Sequence, residues 1–139
     1  MSYIFYCSNQ TMDECFQKAL FGNTYKHWEK VQKIRKGDPV FLINLNTGTL
    51  YGPFTATRKS QLNLDPYAFL SSGRNYPAQV EVKWGRVMKL ERPYSKLRFL
   101  DGLQCRLTPS QTVKLMTRLI EEDNQYIHCL LYTSDAADE

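Results

Sequence analysis

The sequence predicts an α+β domain: a curled, mostly antiparallel sheet or small open β-barrel with helices packed outside. Three observations carry this. Strand-like runs follow one another without long helical crossovers between them. Two helical segments, near residues 11–20 and 108–120, each start at a capping signal and carry an apolar stripe. The 139 residues are 42% hydrophobic and 23% charged, which fits one folded domain and excludes a disordered or collagen-like chain.

Tyr3–Tyr6 is a short aromatic and β-branched run, read as a strand. Thr11-Met12-Asp13-Glu14 reads as a capping box, in which Glu14 reaches back to the helix start. Met12, Cys15, Phe16, Ala19 and Leu20 then share one helix face, and Gly22 supplies the stop. In residues 23–36, Trp28, Val31 and Ile34 are spaced by three, which predicts a short irregular helix. Gly37-Asp38-Pro39 breaks the chain. Val40-Phe41-Leu42-Ile43 is a continuous apolar run, short enough for a strand buried on both faces. Asn46-Thr47-Gly48 is a turn, and Leu50–Thr57 returns, with Gly52-Pro53 marking a bulge or an edge. Residues 60–76 form a long aromatic loop, of a length that is functional or mobile in a compact domain. In residues 78–84, Val80, Val82 and Trp84 alternate with Glu81 and Lys83, which places Trp84 in the core. Residues 87–90 extend this strand. Thr108-Pro109-Ser110-Gln111 starts the last helix, whose apolar stripe runs to Ile120 and ends at the polar stretch Glu121–Asn124.

Residues 129–139 show no helical or strand period and look like an in-frame translation of a sequencing-library adapter. They are expected to be a non-native tail, so the domain is expected over residues 1–128. The tail holds Asp135, Asp138 and Glu139 and no base, so residues 1–128 carry 18 bases against 11 acids, a charge of +7. That favours an anionic partner, although dispersed bases also suit an ordinary solvated surface. No apolar run approaches the roughly 20 residues of a membrane helix, and no secretory signal is visible, so no membrane association is expected. Without Cys129 of the tail, the cysteines Cys7, Cys15 and Cys105 are odd in number and form no Cys-x-x-Cys pair. With His27 and His128 at no ligand spacing, neither a disulfide framework nor a metal or cofactor is expected, and the chain reads as cytoplasmic or nuclear.

Five stretches together resemble one family: Tyr3–Thr11, Glu14-Cys15 leading to Leu20-Phe21-Gly22, Ile34–Asn44, Leu50–Phe54 and Tyr76–Val80. In order and spacing they look like the DCD (development and cell death) domain. Two departures are the Asn23-Thr24 pair, where the family usually has Leu-Pro, and Asn44-Leu45-Asn46, where it often has an acid. Val82-Lys83-Trp84 is similar, more distantly, to a strand of YTH and EVE domains of the PUA-like group. This resemblance implies a PUA-like, YTH-like barrel whose open end holds an aromatic pocket for one extruded, often methylated base.

Such a pocket needs stacking planes, donors and acceptors for the base edge, and nearby cations for phosphate. Two stacking planes and two or three hydrogen bonds sum to about 4–8 kcal/mol, a millimolar to micromolar affinity. Trp28, amid Lys26, Lys30 and Lys33, is the first candidate plane, or else a core residue packing on Val31 and Ile34. Tyr67 and Phe69 supply a second wall, or anchor their loop. Tyr6, Ser8, Asn9 and Asn44 sit at strand ends, where a barrel mouth lies. Ser8 and Asn9 equally suit a helix cap, and Asn44 a turn. Lys30, Lys33, Arg58, Lys59 and Arg74 are the candidate phosphate contacts. No Ser/His/Asp or Cys/His constellation, Gly-rich phosphate loop or carboxylate pair is recognisable, so no catalysis is expected. The sequence thus points to a module that binds a modified or extruded base in single-stranded nucleic acid, RNA in preference to DNA. The alternative is a protein-interaction module in stress or cell-death signalling, docking through residues 60–76 or 23–36.

Overall fold

The computed structural model describes the backbone of residues 1–138 and the side chains of residues 1–127. The chain runs β1 (Ser2–Cys7), α1 (Asn9–Lys18), β2 (Leu20–Asn23), a single turn at Tyr25–His27 and α2 (Trp28–Val31). Then come β3 (Pro39–Asn44), β4 (Thr49–Ala56), the two-residue β5 (Gln61–Leu62) and β6 (Ala78–Lys83). The rest is β7 (Met88–Glu91), α3 (Pro93–Lys96), β8 (Arg106–Leu107) and α4 (Pro109–Asp138).

The strands form one sheet in the order β2-β6-β4-β3-β1-β8, with β5 also beside β6 and β7 beside β4. β1 and β3 pair in parallel and the other ladders are antiparallel, so the expected α+β class with a mostly antiparallel sheet is what forms. The sheet curls until β2 returns to β1. Their Phe21 and Phe5 rings lie 6.0 Å apart, centroid to centroid, yet no ladder joins the two strands. The result is a half-barrel with an open seam.

Each face of this sheet is buried. Phe5, Phe21, Val40, Leu42, Phe54 and Val80 fill the interior. Ile4, Phe41, Ile43, Leu50 and Leu90 face outward beneath Leu115 and Leu119 of α4. β3 alternates between the two clusters, and a strand covered on both sides reads as an unbroken apolar run. Gly52-Pro53 marks a bulge and not an edge: β4 is central, and its register against β3 shifts there, opposite Val40–Leu42. A Cβ at Gly52 would run into the Phe41 ring. The next residue, Pro53, has no N–H to donate, and the row beside β4 breaks there, between β6 and β7.

Several local expectations are corrected. Helix α1 starts at Asn9, because Ser8 and Thr11 already form a cap pair: the Ser8 N–H donates to Thr11 Oγ1 at 3.1 Å. Glu14 is therefore free of that task. The helix stops at Lys18, with Ala19 in the left-handed conformation (φ 50°), not at Gly22. Leu20–Asn23 can then pair with β6. Trp84 is 38% exposed, past the end of β6, with its ring edge-on to Phe16 and Phe54 at 5.4 and 5.6 Å. The polar stretch Glu121–Asn124 does not end α4, because Glu122 and Asp123 pair with neighbouring bases. Glu122 lies 3.2 Å from Lys96, and Asp123 takes a two-pronged bond from Arg86. The reading of residues 129–139 as adapter-derived falls on side chains outside the described residues; their backbone continues α4 to Asp138. Among the described residues, no helix is long and apolar enough to cross a membrane.

Candidate functional site

The open seam holds a cavity of about 500 Å³. β1 ends there, contributing Tyr6, Cys7 and Ser8, and β2 contributes Gly22 and Asn23. The first turns of α1 add Gln10, Thr11 and Cys15, and the 60–76 loop closes the far side with Phe69, Ser72, Arg74 and Tyr76. The volume falls within the roughly 300–1,000 Å³ of small-molecule pockets.

The loop that forms the far wall is tied down on three sides. The Phe69 N–H donates to Glu14 Oε2 at 2.6 Å. Lys18 bridges Asp65 at 2.8 Å and Glu14 at 3.2 Å. Gln79 of β6 accepts from the Asp65 N–H at 2.8 Å and donates back to the Asp65 carbonyl at 3.0 Å. These bonds hold Phe69 buried in a left-handed conformation (φ 64°) with its ring edge-on to Tyr76, centroids 5.9 Å apart. Gly22 makes that approach possible. A Cβ there would sit 3.0 Å from both Phe69 Cε2 and the Tyr76 carbonyl oxygen.

Tyr6 supplies a third ring, fixed by its hydroxyl donating to the Gln104 carbonyl at 2.6 Å. Burial pushes the Tyr6 phenol well above its ordinary range, with the Tyr94 and Cys105 side chains adding to the effect. At the floor, burial raises the Cys7 and Cys15 thiols from 9.0 to about 12, so both are neutral thiols at physiological pH. Arg74 is the one charged side chain on the lining, and it enters no ion pair among the described residues. The site thus presents three rings, neutral polar groups and a single cation.

Of the residues singled out in the sequence, Tyr6, Ser8, Phe69 and Arg74 meet at this cavity. Asn44 is buried and already occupied. Its Nδ2 donates to Asn9 Oδ1 at 3.0 Å, and its Oδ1 accepts from the N–H groups of Asn46 and Thr47. The Asn9 N–H in turn donates to Asn46 Oδ1 at 2.7 Å. This pair shapes the turn and fastens it to α1 instead of facing the cavity. Trp28 packs half-buried against the interior cluster with Val31 and does not line the cavity. Tyr67 is 74% exposed, on the outside of its loop. Lys30 and Arg58 are surface residues away from the lining, and Lys33 and Lys59 border a separate groove. The sequence reading missed the contribution of Gly22, Asn23 and Tyr76. The signal was present, since the Leu-Phe-Gly stretch ends at this cavity and the Tyr-Pro-Ala-Gln-Val stretch begins there.

One juxtaposition was not legible. Cys105 Sγ lies 3.9 Å from His27 Nδ1, although the sequence shows no Cys/His motif. Burial raises the Cys105 thiol, against smaller pulls from Lys30 and Asn23, so it lacks the lowered pKa of an activated nucleophile. No group of three or more His, Cys, Asp or Glu side chains suited to a metal ion occurs among the described residues.

The family described as the development and cell death domain matches residues 1–117. The chain belongs to this family. Over 84 residues it is 39% identical to the DCD domain-containing protein NRP-A of Glycine max and 39% identical to the B2 protein of Daucus carota, a match covering 58% of the chain. The matched region spans 23% of NRP-A and 41% of B2 protein, so the chain corresponds to less than half of either relative. Among solved structures, the YTH domain-containing protein mmi1 in complex with RNA superposes with a TM-score of 0.68 at 12% identity, over 91% of this chain and 85% of that one. The YTH domain of Zygosaccharomyces rouxii MRB1, in complex with N6-methyladenosine RNA, gives 0.62 at 11% identity, over 85% of each chain. These similarities establish a shared YTH-like fold for this DCD domain.

Proposed function

We propose that this DCD domain is a non-catalytic nucleic-acid-binding module that takes one extruded base of a single RNA strand into the seam cavity, with a preference for a methylated base. The observation that carries the proposal is the convergence of Tyr6, Phe69 and Tyr76 with Ser8, Asn23 and Arg74 around about 500 Å³ of space. Stacking on such rings is worth about 1–3 kcal/mol per base, and an added methyl group buries further apolar surface. Ser8 offers its hydroxyl to a base edge and Asn23 an amide N–H, its Oδ1 being taken by the Thr24 N–H at 2.8 Å, while Arg74 is a partner for the adjoining phosphate. Two solved structures of the same fold, those of mmi1 and MRB1, are RNA complexes, the second with N6-methyladenosine.

Calorimetric titration with a short single-stranded RNA carrying one N6-methyladenosine tests the proposal. Micromolar to millimolar binding is expected, weakened about tenfold or more by Tyr76→Ala and less by Arg74→Ala. Binding unaffected by Tyr76→Ala, or none at about 1 mM, overturns it.

The second reading, a protein-docking module, is favoured by Tyr67 and Leu70, which stand 74% and 61% exposed on the outer side of the 60–76 loop. Capture of a partner that survives nuclease and fails with Tyr67→Ser/Leu70→Ser is the result that selects it.

A further inference from the structure

At the other end of β1 from the cavity lies a groove of about 800 Å³, bordered by Lys33, Arg35, Lys59 and Arg106 with Gln32 and Asp38. All four bases are exposed, and none enters an ion pair among the described residues. Asp38, the one acid, is partly engaged, since its Oδ2 accepts the Arg35 backbone N–H at 2.8 Å. Burial raises the phenol of Tyr3 at this groove, the Asp38 charge adds to the rise, and Arg106 and Arg35 pull against it.

The cavity and the groove are joined by one stretch of chain. Asn23 lines the cavity and Gln32 borders the groove. Between them run the turn and α2, which expose Tyr25, Lys26 and Lys30 against the single acid Glu29. Tyr25 is 67% exposed. The direct span along β1, from Tyr3 to Cys7, is only about 13 Å at about 3.3 Å per residue.

We infer that the groove and the Tyr25–Lys30 stretch form a second subsite that holds the phosphodiester backbone of the same strand whose base enters the cavity. This deepens the base-binding reading and rests on it. The bases that sequence reasoning assigned to phosphates beside the pocket, Lys30, Lys33 and Lys59, then act on phosphates several nucleotides away. The exposed apolar surface there is slight, with Met1 the large apolar side chain on the groove, which suits a polyanion better than a lipid surface. A compact single-strand-binding fold engages roughly 4–16 nucleotides, enough to span both places.

The test compares the intact chain with the exposed-residue variant Lys33→Gln/Arg35→Gln/Lys59→Gln/Arg106→Gln. Each is titrated with an RNA trimer and with an RNA of about twelve nucleotides, both carrying one N6-methyladenosine, at several salt concentrations. The longer RNA is expected to bind the intact chain at least tenfold more tightly than the trimer. The variant is expected to lose that gain while keeping trimer affinity. Each phosphate contact adds about 0.7 to the slope of log affinity against log salt for single strands, so the slope for the longer RNA falls by about three. Equal affinity for the two lengths, or an unchanged slope in the variant, overturns the inference. A trimer that fails to bind while the longer RNA binds through the groove overturns the cavity reading, and with it the claim that one strand occupies both places, leaving backbone binding at the groove alone. Failure of both RNAs to bind overturns both.

Discussion

The Phe69 N–H meets Glu14 Oε2 at 2.6 Å, across 55 residues of sequence. This bond holds the far wall of the cavity onto α1. A hydrogen bond to a charged acceptor is worth about 1.5–3 kcal/mol, so Glu14→Ala is expected to cost about that much. The loss should concentrate in the loop. Exchange of the Phe69 amide hydrogen is expected to accelerate at least tenfold, while amides of β3 change only with global stability. Uniform acceleration across the chain contradicts this role.

Gly22→Ala probes how tightly the wall closes. The new methyl would lie 3.0 Å from the Tyr76 carbonyl oxygen, a backbone atom that cannot swing aside. Overpacking of this kind costs about 1–3 kcal/mol. Urea denaturation is expected to show that loss, and RNA titration a larger proportional loss of binding, because the methyl pushes Phe69 and Tyr76 apart. Retained affinity places the ligand elsewhere.

Trp28→Phe separates core from site. Trp28 packs on the interior cluster and lies off the cavity lining. The smaller ring is expected to cost about 1 kcal/mol of stability and to leave RNA affinity within about twofold. A selective loss of binding restores Trp28 as a wall of the pocket.

The indole also shows where the sequence stopped being informative. Its spacing with Val31 and Ile34 fitted a core residue, and its basic surroundings fitted a ligand cage equally well. Only the turn of α2 decides between them. β3 was legible because burial on both faces is written directly into Val40–Ile43. The cavity was less so, because it is made by the return of β2 to β1 along a seam without a ladder. β2 has four residues, one of them glycine, and shows no alternation. Tyr6, Ser8, Phe69 and Arg74 could be named by type and position. Their convergence with Gly22 and Tyr76 depends on sheet closure between segments far apart in sequence. Glu14 was misassigned for a related reason: its partner lies 55 residues away, whereas a local cap was visible within three.

The floor of the cavity predicts alkaline lability. The unfolded Cys7 and Cys15 thiols ionise near 9.0, the folded ones near about 12. Between those values the unfolded chain binds fewer protons than the folded one. Stability present below pH 9 is therefore lost as pH rises, by up to about 1.4 kcal/mol per pH unit for each thiol. Urea midpoints from about pH 8 to about pH 10.5 are expected to fall, and more shallowly in Cys7→Ala/Cys15→Ala. An identical slope in the variant assigns the effect to other groups.

The most direct measurement is an amide chemical-shift map of the ¹⁵N-labelled chain titrated with a trimer containing N6-methyladenosine, beside its unmethylated counterpart. The expected result is a set of large shifts at Ser8, Gly22, Asn23 and Tyr76, saturating at lower concentration for the methylated trimer. Shifts confined to the outer face of the 60–76 loop or to α4, with the seam residues unmoved, contradict a base-binding cavity.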